Sequence, residues 1–217
     1  CRVGGGIRDV SSAIEWLDAG ATKIVLGTAA TPELLRQLPR ERLIAALDAR
    51  DGEVVVEGWQ RGTGESILDR MRRLEGLVSG FLITFVEREG RLGGTRMDLV
   101  PGLVKAAGSA RVTIAGGVTT PGDIAELDAM GADAQVGMAL YSGQLELSQA
   151  IAAPLRSDRA DGLWPTVIVD ELGVALGLAY SSRESLTEAV RSGRGVYHSR
   201  SRGLWVKGES SGGTQEL

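Results

Sequence analysis

Two glycine pairs stand where this sequence could hold anions. Gly5-Gly6-Ile7 and Gly116-Gly117-Val118 each follow a short apolar run and precede an amphipathic stretch ending at a glycine, Gly20 or Gly131. After each comes one more apolar run, closing on Gly27-Thr28 or Gly137-Met138. A glycine pair at a strand end lets a ligand approach the backbone closely. Its N–H groups, with the positive end of the following helix, suit a phosphate. Two copies about half a barrel apart put two such cradles across one mouth, so the expected substrate is long and phosphorylated at each end. The predicted phosphate-binding residues are Gly5, Gly6, Gly27, Thr28, Gly116, Gly117, Gly137 and Met138.

One carboxylate lies between the copies. Asp48 follows the apolar run 43–47, and the Asp51-Gly52 pair beyond it makes a good hairpin turn by itself. That leaves Asp48 as the carboxylate ending a strand at the catalytic mouth. Thr84 ends the next predicted strand and can donate a hydrogen bond to substrate. An aldose–ketose rearrangement needs an acid to open the sugar ring and a base to take the C2 proton. Two carboxylates on opposite sides of a mouth do this without metal or organic cofactor. Only one member of such a pair, Asp48, is visible. Far downstream, Ser199-Arg-Ser-Arg-Gly203 offers guanidinium groups and backbone donors suited to another phosphate. The single histidine, His198, does not make a metal set alone.

The elements that must position these groups follow from periodicity. Strands are predicted near 1–4, 23–26, 43–47, 81–84, 111–115 and 133–137, with helices over 9–20, 32–38, 66–77, 98–107 and 120–130 between them. Residues 53–59 alternate and suit a small hairpin. Strands alternating with helices over short loops argue for a parallel sheet of βαβ units. Six units are counted where a full (β/α)8 barrel has eight, and the chain opens on Cys1 rather than Met, inside a strand-like motif. The expectation is an incomplete α/β TIM barrel over 1–153, its first two strands missing. A charged, aperiodic linker covers 154–162. A small, mainly β, α+β module follows over 163–217, with strands at 166–170 and 174–179, a helix over 182–192, a strand near 196–198 and a polar, glycine-rich tail.

Composition agrees and excludes other classes. Hydrophobic residues are 43%, charged residues 24% and aromatics 4%, with 31 glycines, which suits an α/β protein with tight turns. A net charge of −4 suggests no nucleic-acid surface. No apolar run approaches membrane-span length and no signal peptide appears. The lone cysteine excludes an intrachain disulfide and a thiolate metal cage, and fits the cytoplasm.

At this point the motifs become recognisable. Val3-Gly-Gly-Gly-Ile-Arg8, Val25-Leu-Gly-Thr-Ala-Ala30, Leu47-Asp-Ala-Arg-Asp-Gly52, Glu57-Gly-Trp59 and Ala115-Gly-Gly-Val118 resemble phosphoribosylformimino-aminoimidazole carboxamide ribotide isomerase, in order, over about residues 1–147. The resemblance implies a histidine-biosynthesis barrel that performs an Amadori rearrangement of a bisphosphate without a cofactor. It implies catalytic aspartates on the first and fifth strands, with Asp48 matching the fifth and Thr84 an assisting threonine on the sixth. After Thr84 this chain reads Phe-Val-Glu-Arg-Glu-Gly90, where the family usually has an acidic residue and then Asp-Gly-Thr.

Leu178-Ala-Tyr180, Tyr197-His-Ser-Arg-Ser-Arg202, Leu204-Trp-Val-Lys-Gly-Glu-Ser-Ser-Gly212 and Gln215 resemble the N-terminal part of phosphoribosyl-AMP cyclohydrolase. That implies nucleotide binding by Ser199, Arg200, Ser201, Arg202, Trp205, Lys207, Glu209 and Ser211. Zinc and magnesium belong to a complete domain of that family, but its metal-binding aspartates and cysteines lie beyond the matched stretch. The expected partners are small-molecule ribotide phosphates, with self-association into a homodimer through the second domain as a further expectation. As given, the chain is expected to run neither reaction well. Three alternatives stay open: the cyclase subunit of imidazole glycerol phosphate synthase, an isomerase also serving tryptophan synthesis, and a catalytically incomplete phosphate-binding scaffold.

Overall fold

A computed structural model describes residues 1–91 and 93–217. They form two compact units, Cys1–Gln144 and Leu145–Leu217.

The first unit is a mostly parallel α/β fold of the TIM-barrel type. Its order is β1 (Arg2–Gly4), α1 (Val10–Asp18), β2 (Lys23–Leu26), α2 (Pro32–Leu35), β3 (Leu43–Arg50), β4 (Glu53–Val56), β5 (Arg61–Ser66), α3 (Ile67–Leu74), β6 (Gly80–Phe85), α4 (Val100–Ala106), β7 (Arg111–Ala115), α5 (Pro121–Ala129), β8 (Ala132–Ala134) and α6 (Met138–Tyr141). The strands β1-β2-β3-β6-β7-β8 pair side by side, all parallel. Among the described residues β1 and β8 each have one neighbour, so both edges carry unpaired backbone groups.

Alternation along the strands divides the sheet into two faces. On one face Leu43, Ala45, Leu47, Phe81, Ile83, Phe85 and Ile114 are at most 2% exposed. They form the core with Ala13, Met71, Leu74, Leu103 and Leu127 of the helices. Each large side chain buried there stabilises the fold by roughly 1.5–3 kcal/mol. On the other face Val25, Ala46, Asp48, Leu82 and Thr84 are only half-buried. The sequence-predicted site residues Asp48 and Thr84 lie on this second face.

Three local expectations change. The strand expected over 43–47 runs on to Arg50, because Asp51 (φ 50°) and Gly52 (φ 84°) make a left-handed two-residue turn that sends β4 back along it. Asp48 therefore lies inside a strand rather than at its tip. β5 pairs with β4 although its sequence, Arg-Gly-Thr-Gly-Glu-Ser, lacks apolar alternation. The strand expected over 133–137 is only three residues long, and Gly137 instead caps α6.

The second unit contains α7 (Leu147–Ala152), β9 (Trp164–Val169), β10 (Ala175–Ser181), α8 (Arg183–Ser192), β11 (Val196–Ser199) and β12 (Gly203–Val206). Both strand pairs are antiparallel hairpins. The units divide at 144/145, ahead of the stretch 154–162, because α7 packs on α8. β12 falls in the polar, glycine-rich tail, where no strand is expected, and it pairs Trp205 with Tyr197.

Candidate active site

The glycine repeat appears in three dimensions as a repeated backbone. Gly5 and Gly6 have φ of 98° and 72°, and Gly116 and Gly117 have 87° and 80°. An L-residue in the left-handed region costs roughly 1–2 kcal/mol. The reasons for glycine nevertheless differ between copies. Nothing lies within 4 Å of a Cβ added at Gly5 or Gly6. A Cβ at Gly116 would sit 2.6 Å from the Phe85 carbonyl oxygen, and one at Gly117 would strike the Gly94 carbonyl.

The second element of each copy closes the same way. The Ala30 N–H donates to the Gly27 carbonyl at 2.9 Å, and the Leu140 N–H to the Gly137 carbonyl at 3.0 Å. The N–H groups of Gly5, Gly6, Gly27 and Thr28, and of Gly116, Gly117, Gly137 and Met138, donate to no backbone carbonyl among the described residues outside regular elements. A cavity of about 50 Å³ is lined by Gly116, Gly117, Gly137 and Met138. Another of about 390 Å³ is lined by Gly5, Gly6, Gly27 and Thr28. The structure thus brings each predicted foursome together.

The helix ends behave otherwise than expected. Asp9 caps α1, its carboxylate accepting the Ser12 N–H at 2.8 Å, and that backbone hydrogen bond holds its pKa below the usual value. At α5 the Asp123 carboxylate accepts the N–H groups of Thr119 and Thr120, both at 2.9 Å. Both helix N-termini already face a carboxylate. The sixth loop adds another charge: Glu89 lines the Gly116–Gly117 cavity.

Asp48 and Thr84 are direct neighbours on β3 and β6, and Thr84 is in turn the neighbour of Ala115, which leads into Gly116. On the other side, a cavity of about 90 Å³ joins Asp48 to Gly27, Thr28 and Ala46, and the last three also line the first cradle. One row on one face therefore connects both cradles to Asp48.

Trp59 enters this row unannounced by sequence spacing. Its indole Nε1–H donates to Asp48 Oδ2 at 2.9 Å. Arg50 holds the Trp59 carbonyl at 3.1 Å, and Glu57 is paired with Arg61. Glu57, Gly58 and Trp59 are all left-handed, at φ of 56°, 65° and 71°, so these contacts hold two strained non-glycine residues. The only sequence signal was the tripeptide itself.

In the second unit, Ser199 ends β11 and its hydroxyl lies 3.2 Å from that of Ser201. Arg202 and Lys207 each lie 5.4 Å over the Trp205 ring, and Arg200 lies 5.3 Å over Tyr180. No described side-chain contact joins Glu209 or Ser211 to this group. Among the described residues no three His, Cys, Asp or Glu side chains converge to hold a metal ion, and the buried Nδ1 of His198 has no partner. The described residues do not make a ligand set for zinc or magnesium.

Comparison with known proteins agrees with this division. Residues 1–146 match the model of the family described as histidine biosynthesis protein, and residues 177–217 that of phosphoribosyl-AMP cyclohydrolase. A 1-(5-phosphoribosyl)-5-((5-phosphoribosylamino)methylideneamino) imidazole-4-carboxamide isomerase of Methanosphaerula palustris is 41% identical over 159 residues, covering 70% of this chain and 67% of that protein. The isomerase of the same name from Haloarcula marismortui is 43% identical over 159 residues, covering 70% of this chain and 64% of that protein. A histidine biosynthesis trifunctional protein of Neurospora crassa is 58% identical over 76 residues, 35% of this chain and 9% of its own length. The chain thus spans about two thirds of the isomerases it matches. With the cradles, the strand order and the family match in agreement, this chain belongs to the histidine biosynthesis protein family.

Proposed function

We propose that the first unit binds a doubly phosphorylated aminoimidazole carboxamide ribotide and takes part in its Amadori isomerisation. The observation that carries this is the pair of matched left-handed glycine cradles connected through Asp48 and Thr84 on one sheet face. In the reaction a proton goes to the ring oxygen as its bond to C1 breaks. The lone pair of the nitrogen on C1 replaces the broken bond, giving an iminium. A base then removes the C2 proton to leave an enolamine, and C1 takes up a proton as the enol hydroxyl at C2 gives up its own, leaving a ketone at C2. Electrons and atoms balance within the substrate, so no co-reactant is required. Asp48 is the acid–base group on its side of the mouth, Thr84 hydrogen-bonds substrate, and Trp59 orients the Asp48 carboxylate. The relatives bearing isomerase names support this reading over the cyclase.

The test is calorimetric titration of the whole chain with the bisphosphate ribotide and with ribose 5-phosphate. The bisphosphate is expected to bind at least tenfold tighter, and Gly5→Val or Gly117→Val to remove that advantage. Equal affinities for the two ligands defeat the reading.

The second unit we assign to phosphoribosyl-AMP cyclohydrolase-like nucleotide binding, through Ser199, Arg200, Ser201, Arg202, Trp205 and Lys207, with Glu209 and Ser211 following. Self-association through this unit is supported by Val167 and Leu178, which pair across β9 and β10 at 61% and 65% exposure. Sedimentation of the wild type and Leu178→Lys tests it, with a dimer expected only for the wild type. The lone cysteine supports a reducing compartment, the cytoplasm. No helix among the described residues is long and apolar enough to cross a membrane.

A further inference from the structure

We infer that Tyr180 is a positioning residue that presents Arg200 to a phosphate monoester on the second unit. The inference rests on the nucleotide-binding reading of that unit and extends it to a residue outside the 199–211 run.

Arg200, Arg202 and Lys207 crowd three positive charges into one hairpin and its flank. The ion pairs of the second unit are Arg159–Asp161 and Arg191–Glu188, and neither includes these three cations. Aromatic faces hold them instead: Arg200 lies over Tyr180, and Arg202 and Lys207 over Trp205, which itself packs against Tyr197 at 6.0 Å. The choice of partner matters chemically. A ring face attracts a cation through its quadrupole and leaves the N–H edges free, whereas a carboxylate occupies them.

Arg159 provides the contrast within the same structure. It also lies over Tyr180, at 4.9 Å, but its Nε and Nη2 donate to Asp161 at 2.9 and 2.6 Å. Of two guanidinium groups on one ring, Arg159 has its donors engaged and Arg200 does not. Three unneutralised cations beside two serine hydroxyls repel one another until an anion arrives, and a phosphate dianion supplies the missing charge. Tyr180 lies on β10 and Arg200 beyond β11, so only the folded unit brings them together.

Inorganic phosphate and the 5′-phosphate of a nucleotide share this chemistry. The whole chain is titrated with inorganic phosphate and with AMP, using wild type, Arg200→Gln, Tyr180→Leu and the double variant. Arg200→Gln should weaken both ligands at least tenfold, and Tyr180→Leu roughly three- to tenfold. In the Arg200→Gln background, Tyr180→Leu should add less than twofold, because its effect passes through that guanidinium. Should Tyr180→Leu not fold, Tyr180→Met goes through the same cycle. Wild-type affinity in the Tyr180 variant overturns the inference, and so does an undiminished effect in the Arg200→Gln background. Phosphate binding that depends on Tyr180 without any gain for AMP supports the clamp while defeating the nucleotide reading.

Discussion

The two cradles share a backbone but not a neighbourhood, and that difference predicts unequal costs for one substitution. Gly6→Ala places a methyl group in open space at φ 72°, so only the left-handed conformation is penalised, by about 1–2 kcal/mol. Gly117→Ala meets the same conformational cost at φ 80° and also drives a Cβ into the Gly94 carbonyl. Overpacking of this kind adds roughly 1–3 kcal/mol. The second variant should therefore be the less stable by about that increment. Urea unfolding followed by tryptophan fluorescence measures it. A Trp164→Phe/Trp205→Phe background leaves only Trp16 and Trp59, both in the first unit, to report. With the urea slope unchanged, the midpoint should fall modestly for Gly6→Ala and further for Gly117→Ala. A Gly117→Ala midpoint equal to or above that of Gly6→Ala refutes the reasoning, because it removes the close approach on which the second cradle depends.

Other outcomes follow from the same geometry. Trp59→Phe keeps an aromatic side chain but removes the N–H donated to Asp48; at 39% exposure the loss is about 1 kcal/mol, so bisphosphate affinity should fall about fivefold by calorimetry. Glu89→Gln removes a carboxylate from the second cavity and should tighten inorganic phosphate binding a few-fold, an effect that shrinks in high salt. Asp161 is held down to about 2, first by the hydrogen bond from Arg159 and then by the Leu163 N–H. Its folded pKa is depressed, so its stabilisation is present above the ordinary value of 3.8 and is lost as pH falls toward about 2. Asp161→Asn should flatten the acid limb of thermal denaturation in that window; an unchanged limb counts against the assignment.

What the amino-acid order determined by itself was largely local. Glycine's freedom at positive φ is a property of one residue, so Gly5-Gly6 and Gly116-Gly117 announced their turns and their repetition without any tertiary context. Asp51-Gly52 announced its hairpin for the same reason, and short continuous apolar runs marked the parallel strands that carry Asp48 and Thr84. Tertiary structure decided everything that depends on partners distant in sequence. β5 exists because β4 supplies its hydrogen bonds, although its own residues have weak strand preference. Asp48 is flanked rather than terminal because β4 folds back along β3. Trp59 meets Asp48, and Arg200 meets Tyr180, through turns and hairpins that no side-chain spacing encodes. A backbone preference is set within a residue or two, whereas a side chain's partner is set by the closure of loops around a buried core, and only the folded chain supplies that.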